Sequence, residues 1–375
     1  MKIKDVICEV YMWERPTPEV VSPEYPYPTG KAPLDILRIV TDDGIEGLFF
    51  RTDVNLSESN VNDIRRLLVN RDPFDREWIW QSLWRLARRK IRRDGYMKVL
   101  AAVDIALWDL AGKAFGVPAY KLMGAYRDKI KVYASSSGIH TVQECQEQVL
   151  SCKEHGVMAY KIHPGPRDAD ETIELCRAAR EAAGDDMKLM LDNAGSRIYT
   201  REDAFRVGRG IEKLNYYWYE EPLLDYDIEG LILLREKLDI PICGVENVLT
   251  GMFDVPQYIL RRAVDIVRSD TRLYGGITPC KRVADLCGVF GMQCEIHAAT
   301  PMCDLANLHV ECAIRNCEFH EIFWPRSNEP ATTTNLPIKE LPYHLDNEGY
   351  LHIPQKPGLG YEIDWEALGE PVETF

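Results

Sequence analysis

The stretch "VDIVRSDTRLYGGITPCKRVADLCGVFGMQCEIH", residues 264–297, predicts a short apolar strand, an amphipathic helix and a second strand. The first strand ends on Asp270 and the second ends on His297. A strand–helix–strand unit of this length places its strands side by side and parallel, with both carboxyl ends at one edge. We therefore expect the carboxylate and the imidazole to meet at that edge.

The same unit recurs along the chain from about residue 130, at a spacing of about 25 residues. Eight parallel strands alternating with helices at this spacing predict a closed barrel rather than an open sheet. The strand-like runs are "KIKVYASS", "MAYKIH", "KLMLD", "NYYWYEEP", "IPICGVE", "VDIVRSD", "MQCEIH" and "EFHEI".

Ionisable side chains stand where these strands end. A single acid in that position is ordinary, since Asp and Glu commonly cap the helix that follows. Their recurrence in phase is harder to explain by capping, because the carboxyl ends of barrel strands converge on one catalytic mouth. We therefore predict an active site there, with the candidate residues Lys161, His163, Asp192, Glu220, Glu246, Asp270, His297 and Glu321.

Three of these carboxylates, Asp192, Glu220 and Glu246, come from successive strands and would repel one another without a cation between them. An all-oxygen ligand set with room for water and substrate favours Mg²⁺. Glu221 follows Glu220 directly, so alternation along a strand turns it to the other side. We assign Glu220 as the ligand and give Glu221 a supporting role.

Two sets of bases flank the predicted ligands. Asp270 beside His297 fixes the imidazole tautomer and makes His297 a candidate general base or acid. Lys161 and His163 are two residues apart on strand two, so both face the barrel interior, across the mouth from His297. Positive charge from Lys161 and a metal ion favours a neutral His163. The alternatives are that the histidines are buried structural residues and that Lys161 only pairs with a carboxylate.

Residues 1–127 have a different pattern, with two strand-like runs, a tight hairpin at Asp43-Gly44 within the second of them, and three helical segments, which predicts an α+β domain. A long proline-rich loop interrupts the strands, and long loops are usually functional. Residues 128–325 are assigned to the barrel, and residues 326–375 are expected to pack back on the first domain. Candidates for substrate contact are Trp13, Tyr25 and Arg51, with Glu14, Arg15, Tyr27 and Lys31 beside them. The alternative is that the loop tyrosines serve packing alone.

Composition sets limits on location and partners. A net charge of −14 argues against nucleic acid, which needs clustered cations. The chain carries no apolar run of membrane-spanning length, and the start "MKIKDVICEVYMWE" lacks a signal-peptide core, so a cytoplasmic location without membrane contact is predicted. The eleven cysteines include no Cys-x-x-Cys pair, and the regularly spaced Cys280, Cys287 and Cys294 are interpreted as core residues rather than a zinc site.

Several segments together resemble the enolase superfamily, in particular its mandelate racemase subgroup. The segment "AAVDIALWDLAGKAFGVPAYKLMG" at 101–124 is similar to the signature on the last capping-domain helix. "LDNAG", "YEEP" and "GVEN" resemble the three metal-ligand segments, and Asp270 with His297 resembles the Asp-His dyad. The resemblance covers nearly the whole chain. It implies a modified (β/α)7β TIM-type barrel with an N-terminal α+β capping domain, and a homo-oligomer.

The resemblance also implies the reaction. Glu321 matches the glutamate that hydrogen-bonds a substrate carboxylate as it becomes an enolate. Abstraction of a proton α to a carboxylate, followed by loss of a β-hydroxyl, would make the protein a Mg²⁺-dependent sugar-acid dehydratase. The alternative is a racemase, epimerase or cycloisomerase using the same enolate, or a catalytically inactive binding protein. One departure is Lys161-Ile162-His163, since the subgroup usually has Lys-x-Lys there.

Overall fold

The computed structural model of this 375-residue chain describes residues 1–14, 30–52, 54–94, 96–136, 141–193, 199–297, 301–324 and 336–375. Its strands are β1 Ile3–Glu14, β2 Lys31–Thr41, β3 Glu46–Arg51, β4 Lys129–Ser136, β5 Ala159–Ile162, β6 Lys188–Asp192, β7 Trp218–Glu220, β8 Ile242–Gly244, β9 Ile266–Ser269, β10 Gln293–Ile296, β11 Phe319–Trp324, β12 His344–Leu345, β13 Tyr350–His352 and β14 Glu373–Thr374. Its α-helices are α1 Glu58–Leu68, α2 Arg76–Asp94, α3 Tyr96–Phe115, α4 Ala119–Leu122, α5 Val142–Glu154, α6 Ala169–Ala183, α7 Arg201–Glu212, α8 Ile228–Lys237, α9 Val255–Leu260, α10 Ile277–Val289, α11 Pro301–Ala313 and α12 Trp365–Leu368.

The first sheet, here called the capping sheet, is antiparallel and has the order β14-β1-β2-β3. Strands β2 and β3 are joined at the Asp43-Gly44 turn, where Gly44 has a φ of +80°. That left-handed conformation suits glycine, which explains the predicted hairpin. Strand β14 comes from the end of the chain and pairs with β1 at Glu9 and Val10.

Strands β4 to β11 form a parallel barrel in which β11 returns to pair with β4. Helices α5 to α11 lie between successive strands in the sequence, which gives the (β/α)7β arrangement. The predicted fold class, a modified TIM-type barrel with an N-terminal α+β capping domain, is confirmed. Below the mouth the interior is packed by side chains from seven of the eight barrel strands. They are Tyr133, Ala159, Met190, Trp218, Cys243, Ile266 and Phe319.

The seam between β10 and β11 is joined by a side chain. Within the described residues these two strands have no pairing ladder of their own. The buried carboxylate of Glu295 accepts backbone N–H bonds from Glu318 at 2.9 Å and Phe319 at 3.3 Å. Burial raises the pKa of Glu295 to about 7. Glu295 therefore supplies the acceptors that a backbone ladder would otherwise provide.

The 101–124 segment attaches the capping helices to the barrel. Asp104 on α3 accepts from the Thr278 N–H at 2.8 Å and from its hydroxyl at 2.6 Å, at the N-terminus of α10. A carboxylate suits that position, because unpaired N–H groups and the helix dipole favour negative charge there. Gly276 has a φ of +120°, and a Cβ there would lie 2.3 Å from Asp104 Oδ2. The glycine pair in "LYGGIT" thus permits close approach of α3.

Asp109, one and a half turns further along α3, ties three segments together. It accepts from the N–H groups of Leu48 at 3.0 Å and Leu359 at 2.9 Å, and Lys113 Nζ lies 2.6 Å away. The two aspartates of "VDIALWDLAGK" therefore have structural roles at the contacts between the capping sheet, the barrel and the C-terminal residues.

The residues that follow the barrel in the sequence add strands to both sheets. Strands β12 and β13 form a hairpin, and β13 pairs in antiparallel register with the first three residues of β4. The sequence did not predict this hairpin, because the two strands are only two and three residues long. No helix in the described part of the chain combines the length and apolar content that a bilayer span requires.

His309 on α11 gives a prediction on pH and stability. Its Nδ1 accepts the Tyr120 N–H at 3.0 Å, and its Nε2 lies 3.3 Å from the Leu359 carbonyl oxygen, so the buried ring is neutral. Burial lowers the pKa of His309 from its ordinary value of 6.5 to about 4. The unfolded chain therefore binds a proton between these pH values while the folded chain does not. This contribution to stability is complete above pH 6.5 and is lost as the pH falls to about 4.

The matching experiment compares wild type with His309→Asn, which keeps an acceptor near Tyr120 but does not titrate. The free-energy gap between the two proteins is expected to shrink by about 3 kcal/mol from pH 7 to pH 4. Chemical denaturation at both pH values measures it. A gap that stays constant with pH would show that folding does not lower the pKa of His309.

Candidate active site

The barrel brings the predicted strand-end residues together at one mouth. Lys161, Asp192, Glu220 and Asp270 are buried at or next to the carboxyl ends of their strands. Glu321 is buried too, but it is the third of six residues of β11, which continues to Trp324. Side chains along a strand alternate between its two faces, and each of these residues is on the inward face, next to apolar residues. The convergence expected from the periodicity is therefore present in the structure.

Lys161 is the central cation of this cluster and is only 1% exposed. Its Nζ lies 2.8 Å from Asp192 Oδ2, 3.2 Å from Glu220 Oε2 and 3.0 Å from Glu321 Oε1. Burial alone would lower the pKa of Lys161, but these three carboxylates outweigh it and raise that pKa well above its ordinary value. Lys161 therefore carries a fixed positive charge.

His163 stands beside Lys161 and is anchored by Ser136 at the end of β4. Its backbone N–H donates to Ser136 Oγ at 2.8 Å, and its Nδ1 lies 3.1 Å from the Ser136 carbonyl oxygen. Since a carbonyl oxygen only accepts, Nδ1 carries the proton and Nε2 is the nitrogen that faces the mouth. Nε2 lies 3.1 Å from Asp192 Oδ2.

The three predicted ligand carboxylates suit a divalent cation by their chemistry. They are buried oxygen donors on consecutive strands. Burial raises the pKa of Glu220, and the nearby charges of Asp192 and Glu246 raise it further against the opposing effect of Arg268. Burial acts on Asp192 in the same direction, but Lys161 and His163 hold its pKa below the ordinary value. A bound divalent cation would relieve the repulsion among the three.

In this structure the cations of the protein neutralise these acids. Across the described residues, no three acidic, imidazole or thiol groups already form a metal cage. The Lys161 ammonium lies against both Asp192 and Glu220, and the Trp218 indole N–H donates to Glu220 Oε2 at 3.0 Å. A metal ion would therefore share these carboxylates with Lys161.

Backbone strain accompanies two of the ligand positions. Val245, just before Glu246, has a φ of +79°, and Glu221, just after Glu220, has a φ of +43°. A β-branched residue in the left-handed region costs of order 1–3 kcal/mol, so packing must hold Val245 there. The hydroxyl of Tyr274 donates to the Val245 carbonyl oxygen and helps fix this turn. Glu221 accepts from Asn247 Nδ2 at 3.2 Å, in keeping with a supporting role.

Asp270 and His297 form the predicted pair. His297 Nδ1 lies 2.8 Å from Asp270 Oδ2, and His297 Nε2 lies 3.6 Å from Glu246 Oε1. Burial opposes protonation, but Glu246 and Asp270 raise the pKa of His297 above its ordinary value. Burial would raise the pKa of Asp270, yet Arg272 and His297 hold it below its usual range. Asp270 therefore stays ionised and orients the imidazole.

Arg268 is a further charged member of the cluster that the sequence interpretation missed. It lies on β9 two residues before Asp270, so the same alternation that identified Lys161 and His163 could have placed it inside. Its Nη2 lies 2.6 Å from the Tyr133 hydroxyl oxygen and also donates to Glu321 Oε2. Its Nη1 donates to the Ile296 carbonyl oxygen at 3.1 Å.

The predicted substrate-contact residues lie on the capping sheet. Arg51, at the end of β3, is buried opposite Asp35 on β2. Trp13, near the end of β1, is half-buried against the hydrophobic core. Both strand ends lie at the same edge of the capping sheet, where Trp13 pairs with Ala32. Tyr25, Arg15 and Tyr27 lie outside the described residues, so the substrate-binding role of this edge stays a prediction.

Acid–base pairs and buried carboxylates at the carboxyl-terminal mouth of a parallel barrel are the features of a TIM-barrel enzyme. The sequence matches the description "Mandelate racemase / muconate lactonizing enzyme, N-terminal domain" over residues 13–124. It matches "Enolase C-terminal domain-like" over residues 144–367, which is more than half of the chain. The chain belongs to the mandelate racemase/muconate lactonizing enzyme family of the enolase superfamily, as its motifs predicted.

Characterised relatives narrow the chemistry. The chain is 34% identical over 349 residues to L-talarate/galactarate dehydratase from Salmonella typhimurium, covering 91% of this chain and 83% of the relative. It is 29% identical to arabinonate dehydratase from Saccharolobus solfataricus, covering 80% and 79%. The crystal structure of D-glucarate dehydratase from Agrobacterium tumefaciens, complexed with magnesium, superposes with a TM-score of 0.88 at 31% identity and covers both chains completely.

Proposed function

We propose that this protein is a Mg²⁺-dependent sugar-acid dehydratase, a hydro-lyase that removes the proton α to a carboxylate and eliminates a β-hydroxyl. The observation that carries the proposal is the placement of His163 and the Asp270–His297 pair on β5 and β10 ends, with buried carboxylates and Lys161 between them. Relatives of this chain are named as dehydratases of galactarate, arabinonate and mannonate, which supports the same reaction class.

Asp192, Glu220 and Glu246 are the residues proposed to hold Mg²⁺. Their oxygen-only donor set and mutual repulsion fit a hard divalent cation. When bound, the ion supplies positive charge that stabilises an enolate formed from a carboxylate substrate. Lys161 adds a second fixed charge beside it, and Glu321 is proposed to face the substrate carboxylate.

The two proton transfers are assigned to two different imidazoles. His163 has its Nδ1 held against the Ser136 carbonyl oxygen, and its Nε2 faces the mouth 3.1 Å from Asp192 Oδ2. Nε2 is the atom proposed to accept the α-proton, in the state in which Asp192 would be engaged by the cation instead. The electrons of the broken C–H bond form the enolate, whose collapse breaks the bond to the β-oxygen. His297 has a raised pKa and is proposed to donate the Nε2 proton that lets this oxygen leave as water. The enol product then becomes a 2-keto acid.

Epimerisation is the second candidate, and it is favoured by the same two imidazoles. A base on each face of the mouth could remove the α-proton from one side and return a proton to the other. In that case every hydroxyl would be retained, so the product distinguishes the two reactions.

The proposal extends to substrate contacts, domain division, location and assembly. Trp13, Tyr25 and Arg51 are proposed to read the distal hydroxyls of a small sugar acid. A division into residues 1–127, 128–325 and 326–375 is proposed. The pairing of β14 on β1 supports it, whereas β13 pairs with β4 and so joins part of the last segment to the barrel sheet. The described cysteines are unpaired and buried, as expected in a reducing compartment, which supports a cytoplasmic location. A homo-oligomer remains a prediction from the family resemblance.

The test is a screen of mono- and diacid sugars with metal-stripped protein, with and without added Mg²⁺, assaying 2-keto acid with semicarbazide. We expect 2-keto acid from one or a few substrates only when Mg²⁺ is present, and its loss when EDTA is added. Turnover that continues unchanged in EDTA would contradict the metal-dependent mechanism. Failure of a broad panel to yield any 2-keto acid would contradict the dehydratase assignment.

A further inference from the structure

Four charged side chains form a closed ring at the floor of the mouth. They come from the alternate strands β5, β7, β9 and β11 and are Lys161, Glu220, Arg268 and Glu321. Side chains from alternate strands form one layer of a parallel barrel, so these four lie at a common height. The signs alternate around the layer, and each cation contacts both acids.

Arg268 makes more contacts than Lys161, the other cation of this ring. Its Nε lies 2.8 Å from Glu220 Oε1 and 3.7 Å from Glu246 Oε2, and its Nη2 reaches Glu321. The Nε contact is an ion pair rather than an aligned hydrogen bond. With the Tyr133 hydroxyl and the Ile296 carbonyl, five protein groups surround a guanidinium that is 0% exposed.

Such burial is favourable only when the partners are held in a suitable geometry, because removing a charge from water costs several kcal/mol. The planar guanidinium has its charge and donors in fixed directions, so it also constrains the carboxylates that lie against it. All three of those carboxylates belong to the proposed machinery, since Glu220 and Glu246 are proposed ligands and Glu321 is proposed to face the substrate. The same side chain therefore constrains groups of both kinds.

We propose that Arg268 is a positioning residue that orients Glu220 for the metal ion and Glu321 for the substrate. The catalytic part of this inference rests on the proposed function, whereas the effect on metal binding does not. Lysine cannot replace Arg268, because a single ammonium cannot contact Glu220, Glu321, Tyr133 and Ile296 at once with the same geometry. The charge of the ring and the orientation of its acids can therefore be separated by Arg268→Lys.

A matched control is available in Arg180 on α6. This half-buried arginine donates to the carbonyl oxygens of Leu214, Gly184, Met187 and Asn215 at 2.7–2.9 Å, away from the mouth. Arg180→Lys loses a comparable set of hydrogen bonds without touching an acid of the ring. A purely structural role for Arg268 would make the two variants behave alike.

The experiment titrates metal-stripped wild type, Arg268→Lys and Arg180→Lys with Mg²⁺ by calorimetry, and measures Tm, kcat and KM. We expect Arg268→Lys to lose about 10- to 100-fold in Mg²⁺ affinity and in kcat, as for other partners of metal ligands. Arg180→Lys should lower Tm and leave both unchanged. Wild-type Mg²⁺ affinity and kcat in Arg268→Lys would overturn the inference.

Two further outcomes are distinguished by separate measurements. If the wild type converts no sugar acid, the proposed function fails while the Mg²⁺ titration still tests Arg268. If Arg268→Lys does not fold, Tyr133→Phe decides, since it deletes only the hydroxyl that lies 2.6 Å from Arg268 Nη2. A lower kcat or Mg²⁺ affinity at unchanged Tm supports positioning, and unchanged values for both overturn it.

Discussion

Lys161→Met is expected to lower the free energy of unfolding of the metal-free protein by about 3–5 kcal/mol, because it leaves buried carboxylates without their cation. Asp192, Glu220 and Glu321 each lie within 3.2 Å of the ammonium that this substitution removes. Saturating Mg²⁺ should recover part of the loss, since the proposed ion also neutralises Asp192 and Glu220. Denaturant titration with and without Mg²⁺ measures both effects.

Lys188→Met is the matched control for Lys161→Met. Lys188 lies 2.5 Å from Glu318 at the opposite end of the barrel, but its side chain is 39% exposed. An exposed pair of this kind contributes about 0–1 kcal/mol, so the control should be nearly neutral. Equal losses in the two variants would show that burial of the Lys161 cluster is not what makes it important.

His297→Asn is expected to lower kcat by about 10²- to 10⁴-fold with little change in Tm, because it removes the proposed proton donor. Its partner Asp270 is fully buried and remains ionised through Arg272, so the loss should be chemical rather than structural. Steady-state kinetics on the substrate found by the screen give kcat and KM.

A second His–Asp pair on the surface provides the control for this substitution. His352 Nε2 lies 2.8 Å from Asp346 Oδ2 on the β12–β13 hairpin, with the same contact distance as His297 to Asp270. His352→Asn should leave kcat unchanged. A kcat for His297→Asn within a few-fold of wild type would exclude His297 from the proton transfers.

Local periodicity was sufficient to predict the barrel and the residues at its mouth. A strand of four to six residues has side chains that alternate between its two faces, so the inward direction of Lys161, Asp192 and Glu321 follows from their positions in the sequence. The parallel arrangement then brings the carboxyl ends of the strands together, independently of the loop conformations. This is why the Asp270–His297 contact followed from sequence spacing.

Other features depend on contacts that spacing does not reveal. Arg268 was predictable in orientation but not in role, because its partners come from β4, β7 and β11, far away in the chain. The positive φ of Val245 is imposed by tertiary packing on a residue type that disfavours it. The structural roles of Asp104 and Asp109 could not be predicted for the same reason. These aspartates accept hydrogen bonds from α10 and from the C-terminal residues, which are distant in the sequence.

The enzyme is proposed to eliminate water from a sugar acid through an enolate. The most direct measurement is the product formed in deuterated buffer with Mg²⁺, analysed by mass spectrometry and NMR for the loss of one water and the position of deuterium. We predict a 2-keto acid that has lost the β-hydroxyl and carries deuterium at the former β-carbon. A product that keeps every hydroxyl and carries deuterium at the α-carbon would contradict dehydration and favour an epimerase or cycloisomerase.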